Sequence, residues 1–462
     1  RFRTSLLTDW ILIRNRSILI TRIKKWVDCQ EEIVLFSVIQ WFVFLLANAV
    51  AIPIVIGPLF DMSSVEVMQL MQRTFFIMGI AGFLQAWIGH KMPIVDGPAG
   101  IWVSTFAIFA GTISTATGSA ENALRLLEMA MILTGVFLML FGLLKISGKV
   151  ISIFTPLVTG VFLTLLTIQL GGTFLQGMTG VSQHGTIQVA DTVIAFIAFI
   201  IVLVLSLFFH GWMKSYAVLI GIAAGWLLYG VFVGGDYSPP SGLEAIAPPE
   251  WFAWGTPIWD WSLVPIALLT AIILLSNIVA ALAAVTDVVE DKARVSYNDM
   301  NRSSFTLGIN HGISGVFSGV AVITLASSAG FLKLTGEKRL APFMIASVAL
   351  ILASFFPSMI YWLAQIPAPI ANAALLATFV QLMGLGIKNL FSNRLDDRNS
   401  TIITVSLLIG SGLMFFPADS FSGLSDTVRQ IVSNGLLVGT AIAIILELIW
   451  KKPQEPIRDQ AT

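Results

Sequence analysis

Between Leu263 and Val285 the chain runs 23 residues without a charged side chain. As an α-helix that stretch is about 35 Å long, more than the roughly 30 Å of a bilayer's hydrocarbon core. Lipid offers no partner to a peptide N–H or C=O, so only helices and closed barrels cross it. The run is one of about fourteen. The others are Ile33 to Ile52, Thr74 to Gly89, Ile101 to Gly111, Leu126 to Leu144, Val150 to Leu170, Val193 to Phe209, Tyr216 to Val233, Phe305 to Val322, Ile323 to Leu334, Phe343 to Leu363, Ile370 to Leu385, Thr401 to Phe416 and Gly435 to Trp450. Of the 462 residues 56% are hydrophobic and 11% charged, where a soluble chain carries about a quarter charged residues. The expected fold is an all-α polytopic membrane protein. Twenty-six basic residues balance 26 acidic ones, which gives no basic surface for nucleic acid.

Lysine and arginine set the expected topology, because cytoplasmic loops are rich in both. On the fourteen-span scheme 23 of them fall on one side, and only Arg73, Arg125 and Arg429 on the other. Both termini are thereby expected inside, in a protein of the cell (inner) membrane. Residues 1–32 mix Arg and Lys with Leu, Ile and Trp and read as an amphipathic helix on the inner leaflet. Residues 451–462 read as a cytoplasmic tail. The long outer loop from Gly234 to Ser262 holds no Lys or Arg, and its Trp251, Trp254, Trp259 and Trp261 suit an interfacial aromatic belt.

Fourteen spans divide into two sevens, and a repeat with an odd number of spans is inverted in the membrane. Transporters built this way hold their solute near the midplane, where discontinuous helices meet. The third and tenth runs are too short to span as helices. The third opens on Pro93-Ile94-Val95-Asp96-Gly97-Pro98-Ala99-Gly100, with two prolines and two glycines in eight residues. The tenth contains Thr324-Leu325-Ala326-Ser327-Ser328-Ala329-Gly330. A half-helix that begins after each break turns peptide N–H groups and a positive dipole end toward a solute. A plain loop or kink also accommodates either cluster alone. Pro156 and Pro367 open the fifth and twelfth runs in matching places.

These residues resemble the nucleobase–ascorbate transporters, the second nucleobase–cation symporter family, over about Val38 to Trp450. The resemblance rests on Gln40 with Pro53, the Pro93 to Gly100 break, Pro156 to Gly160, Val218 to Gly221, Pro367 to Pro369 and Ser433 to Gly439. It is closest to a bacterial branch of uracil, xanthine and purine permeases. It implies a core domain of spans one to four and eight to eleven (33–149 and 263–363), and a gate domain of five to seven and twelve to fourteen (150–233 and 364–450). It further implies short antiparallel strands at the breaks of segments 3 and 10, uptake coupled to H⁺ or Na⁺, and commonly a homodimer. The chain departs from the family's usual pattern: Leu275-Ser276-Asn277-Ile278 where the eighth span usually carries a carboxylate, Ser327-Ser328 where the tenth-span break carries an acidic or amide residue, and His311 at the acidic position of the ninth.

A nucleobase is a flat ring edged with N–H donors and carbonyl acceptors, so its site needs an in-plane amide or carboxylate, peptide donors and apolar faces. Asn277 and Ser276 offer the first, or a helix–helix hydrogen bond. Ser327 and Ser328 offer hydroxyl donors, or close helix packing. Gly97 and Gly100 let a ring approach the backbone, Trp102 could stack on it, and Gln40 is a further polar contact. Asp96 is an intramembrane carboxylate and hence a functional candidate; it either accepts a substrate N–H, carries the coupling proton, caps the half-helix, or faces the cytoplasm with His90 and Lys91. His311 is the second candidate for the coupling proton, and equally a packing histidine.

Four scattered histidines and the single Cys29 give neither a nucleophile–base pair nor a metal cluster, so no enzyme activity, cofactor or metal is expected. An anion transporter of the same architecture is the competing reading. It wants a cation at the breaks, where the nearest is Lys333.

Overall fold

A computed structural model describes residues 35–98, 100–113, 119–151, 155–234, 242–290, 295–392, 395–421, 423–424 and 426–450. The expected amphipathic segment 1–32 and the tail 451–462 lie outside them. In chain order, α1 (Leu35–Phe60) and α2 (Ser64–Trp87) lead to a strand β1 (Asp96–Pro98) and to α3 (Gly100–Ile113). Then come α4 (Ala120–Leu143), α5 (Pro156–Met178), α6 (Val189–Phe208) and α7 (Ala217–Phe232). The second half runs α8 (Leu263–Glu290), α9 (Tyr297–Val316), β2 (Val322–Thr324), α10 (Ser327–Thr335), α11 (Leu340–Ala353), α12 (Ala368–Leu390), α13 (Asp397–Met414) and α14 (Gly435–Ile449). Seven of these helices, α1, α2, α4, α5, α6, α8 and α12, are long and apolar enough to cross a membrane.

Local chemistry sets many of the ends. Ser63 caps α2 in a reciprocal box with Glu66, and Ser119 caps α4. Thr155 caps α5, whose first residue, Pro156, has no N–H to leave unpaired. Two expected spans change shape. The run Phe343 to Leu363 is not one helix: α11 and a short helix, Pro357–Ala364, meet at 92°. Pro357 cannot continue the ladder and drives Phe356 out of helical backbone, to φ −110° and ψ 82°. The ninth helix ends at Val316, six residues before the end of its apolar run, because Ser318 turns the chain at φ 47° and the residues beyond pass into β2.

Helix α9 is polar for a membrane protein, with Asn301, Ser303, Ser304, Thr306, Asn310, His311 and Ser314 all buried. It survives because it packs against α2, α4 and α8. Its contact with α4 is backbone on backbone: a Cβ on Gly135 would lie 2.6 Å from the Gly308 carbonyl oxygen, and one on Gly308 2.5 Å from that of Gly135. Small residues at the seam replace hydrophobic driving force inside lipid. Elsewhere α2 packs on α11, α4 on α8 and α8 on α10, while α5 packs on α12, α13 and α14, and α6 on α7 and α12.

Candidate substrate and coupling site

The two interrupted segments meet. β1 and β2 pair antiparallel, with Asp96 opposite Thr324, Gly97 opposite Ile323 and Pro98 opposite Val322. The pairing extends past the strands: the Leu325 N–H donates to the Val95 carbonyl at 2.8 Å, and the Val95 N–H to Ser328 Oγ at 2.9 Å. Peptide groups freed by the breaks are thus satisfied across the pair, which is what permits them inside a membrane protein. Ser328 is fully buried in this contact, whereas Ala326, Ser327 and Gly330 are exposed. The first turn of α10 therefore has one closed face and one open face.

Glycine sets how closely other chain segments approach. A Cβ on Gly97 would lie 2.8 Å from Leu325 Cδ1, and one on Gly100 2.8 Å from Phe379 Cζ on α12. Phe379 in turn sits edge-on to Phe174 of α5, with centroids 5.0 Å apart. Gly100 marks the place where the β1–α3 junction touches α12. Asn277 and Ser276 are half-buried on α8, which runs beside β2 and α10. The Asp287–Lys333 pair, 3.8 Å apart, marks a common level on α8 and α10. From that level Asn277 is ten residues back along α8, about 15 Å, and Ser327 six residues back along α10, about 9 Å. Among the described residues the Asn277 amide makes no hydrogen bond. Gln40 is half-buried, and its carbonyl accepts the Tyr216 hydroxyl at 3.3 Å.

Trp102 and His311 are turned inward and bonded to each other. The Trp102 Nε1–H donates to His311 Nε2 at 3.1 Å, and His311 Nδ1 lies 2.9 Å from the Leu307 carbonyl. A carbonyl only accepts and an indole N–H only donates, so His311 is the neutral tautomer with its proton on Nδ1. Phe331 likewise faces the interior, stacked on Phe44 at 4.3 Å and packed on Trp41 at 4.4 Å.

Asp96 is fully buried. Asn310 Nδ2 donates to its Oδ2 at 3.4 Å, and the side chains of Thr324 and Gln85 approach the same carboxylate. Gly89 leaves room for Gln85, since a Cβ there would lie 2.0 Å from Gln85 Oε1. The Gln85 Nε2 donates to the Ser303 carbonyl at 3.2 Å. Asp96 Oδ1, Asn310 Oδ1, Gln85 Oε1 and Thr324 Oγ1 are buried without a hydrogen-bond partner. No ion pair among the described residues includes Asp96.

The sequence singled out neither Asn310, Thr324 nor Phe379. Asn310 was legible as an amide beside His311 in an apolar run; nothing local marks Thr324 or Phe379, whose partners lie hundreds of residues away. Glu128 of α4 is also fully buried. Its Oε1 accepts the Ser318 hydroxyl, and Arg73 lies close by over the Trp254 ring, 5.7 Å from the centroid.

The geometry has parallels among known proteins. A family model described as "Permease family", for xanthine/uracil permeases, matches residues 32–419. The Bacillus subtilis (strain 168) protein YwdJ, which carries a provisional purine-permease name, is 29% identical over 428 residues, 90% of this chain and 96% of its own. The xanthine permease of the same organism is 25% identical over 424 residues, 89% of this chain and 92% of its own. Among solved structures, the transmembrane domain of the cyanobacterial bicarbonate transporter BicA superposes with a TM-score of 0.59 at 13% identity, over 89% of this chain and 97% of that one. SLC26A9 gives 0.61 at 12% identity, over 89% and 65%. The chain is thus a multi-pass membrane transporter and not an enzyme, and it belongs to the nucleobase–ascorbate transporter family of permeases.

Proposed function

We propose that this permease takes up a nucleobase, such as uracil, xanthine or another purine, by alternating access coupled to a cation. The observation that carries the reading is the β1–β2 pair, which joins two interrupted helices next to the half-buried Asn277 amide of α8 and the exposed Ser327 hydroxyl of α10. In this reading the ring lies beside the exposed first turn of α10, next to the Gly97–Gly100 segment, with Phe379 closing on Gly100 at the edge of the site. Asn277 and Ser276 match its polar edge, Ser327 donates to a carbonyl, and Gln40 supplies a contact from α1. Ser328 acts by holding Val95, and Trp102 with His311 braces the start of α3.

Helices α1–α4 and α8–α11 form the moving core, and α5–α7 with α12–α14 the gate. Their packing supports an inverted repeat of seven. Shifting each helix by seven places carries the α2–α11 contact onto α9–α4, α6–α7 onto α13–α14, α6–α12 onto α13–α5, and α7–α12 onto α14–α5. Fourteen segments, both termini in the cytoplasm and a homodimer in the cell membrane complete the proposal. An anion as cargo wants an unpaired cation at the strands, but Lys333 is paired with Asp287.

The test is uptake of a panel of radiolabelled bases by a permease-deficient cell, with and without a protonophore. If no base is taken up or competes, the reading is wrong. Asn277→Ala is expected to abolish uptake while the protein stays in the membrane.

A further inference from the structure

We propose that Asp96 and Asn310 form the coupling-proton site, a carboxyl–amide pair behind β1 in which the proton sits on Asp96 Oδ1 and is donated to Asn310 Oδ1. This rests on the transport reading above and names its coupled ion. The amide and the carboxyl already share one bond, Asn310 Nδ2 to Asp96 Oδ2, and it is long, 3.4 Å. The other oxygen of each group, Asp96 Oδ1 and Asn310 Oδ1, is a buried acceptor without a partner. An amide already bonded through its nitrogen to one carboxyl oxygen can set its own oxygen beside the other. One proton between them closes a two-bond ring, N–H to O on one side and O–H to O on the other, and both orphans are satisfied at once. It also removes a charge that costs several kcal/mol when buried in a membrane protein without a counter-ion.

No neighbouring charge does this job. The groups packed around the pair are Gln85 from α2 and Thr324 from β2, both neutral. His311, next to Asn310, is engaged through both ring nitrogens. His90, ahead of β1, uses Nδ1 to accept the Met92 N–H. Arg302 is spent on the Ile88 carbonyl, and Arg73 on that of Ser318. Asp96 is the one carboxylate within the paired strands.

Coupling follows from position. Asp96 opens β1, the strand beside the proposed base site. The protonated pair ties β1 to α9 and fixes those peptides; the ionised pair pushes them apart. Proton and base therefore bind as linked ligands, each raising the affinity for the other by the same factor. Because Asp96 is fully buried here, the proton enters and leaves only as the core opens to one side.

The experiment measures base binding to purified protein against pH, by equilibrium binding of a radiolabelled base already shown to bind. In the wild type, affinity is constant at acid pH and falls about tenfold per pH unit above a single midpoint, the signature of one linked proton. Asp96→Asn, a permanently uncharged amide, binds without that slope and no longer accumulates base against a gradient in vesicles. The infrared C=O band of a protonated carboxyl, present in the wild type at acid pH, is missing from Asp96→Asn. Should that variant fail to fold, Asn310→Ala keeps the slope and moves its midpoint, which a purely structural role does not. A wild-type affinity independent of pH, or accumulation that follows Na⁺ rather than H⁺, overturns the inference. Either result leaves the nucleobase reading standing; failure of every base to bind at any pH sinks that reading instead.

Discussion

The peptide N–H of Val95 donates to the hydroxyl of Ser328 at 2.9 Å, so a side chain from one interrupted segment completes the backbone of the other. Both ends are buried, and the alternative to this bond is an orphaned N–H inside the protein. Removing such a partner costs about 1–3 kcal/mol. Ser328→Ala is therefore expected to lower the melting temperature of the purified protein and to weaken base affinity, because β1 loses its anchor. An unchanged melting temperature would show that another group, or water, takes over the Val95 N–H.

Gly100 and Phe379 give a sharper test of the contact between the β1–α3 junction and α12. A methyl at position 100 would lie 2.8 Å from Phe379 Cζ, too close for carbon against carbon. Gly100→Ala is expected to cut the uptake rate at least tenfold with the protein still present in the membrane. Phe379→Ala removes the obstructing ring, and the double variant should recover most of the loss from Gly100→Ala. Additive losses in a double-mutant cycle would mean that the two residues do not meet during transport.

The fold was legible where lipid dictates the pattern. Leu263 to Val285, charge-free and long enough, had one answer, and it lies within α8. The breaks were legible too, because Gly97, Pro98 and Gly100 in one segment and Ser327 with Gly330 in the other are poor residues for a continuous apolar helix. What could not be read was who faces whom. That Trp102 donates to His311, and that Glu128 is buried against Ser318, could not be read from the residues alone. Phe343 to Leu363 looked continuous, since a Pro at position 357 is compatible with a kinked span as well as with the 92° corner observed. Periodicity reports burial, not partners, and the partners of Asp96 come from helices and strands up to about 230 residues away.

His311 yields a prediction by elimination. Its Nε2 accepts from Trp102 and its Nδ1 faces a carbonyl, so protonation would break the indole bond with nothing gained. His311→Gln keeps a side-chain acceptor and a donor; it should transport with the wild-type pH profile, at a reduced rate if the Trp102 contact loosens. His311→Leu leaves the Trp102 N–H without an acceptor and should cost about 1–3 kcal/mol of stability. A change in the shape of the pH profile in His311→Gln would make this histidine a titrating group and contradict the assignment.

Outside the spans, the loop between α10 and α11 holds a carboxylate whose pH behaviour can be worked out. Arg339 bonds Glu337 through Nε at 2.7 Å and through a second guanidinium nitrogen, and Ser37 of α1 donates to Oε2 at 2.6 Å. The Arg339 bonds, aided by Ser37, hold the Glu337 carboxyl down at about 2, against an ordinary value of 4.5. A carboxylate whose folded value is depressed adds stability while it is ionised in both states. That contribution is complete above about 4.5 and is lost as the pH falls toward 2. Glu337→Gln, which keeps the shape and drops the charge, should melt below the wild type at neutral pH. The gap between the two should close on acidification through that window, and a gap that stays constant would mean that Glu337 acts through packing against Ser37 rather than through its charge.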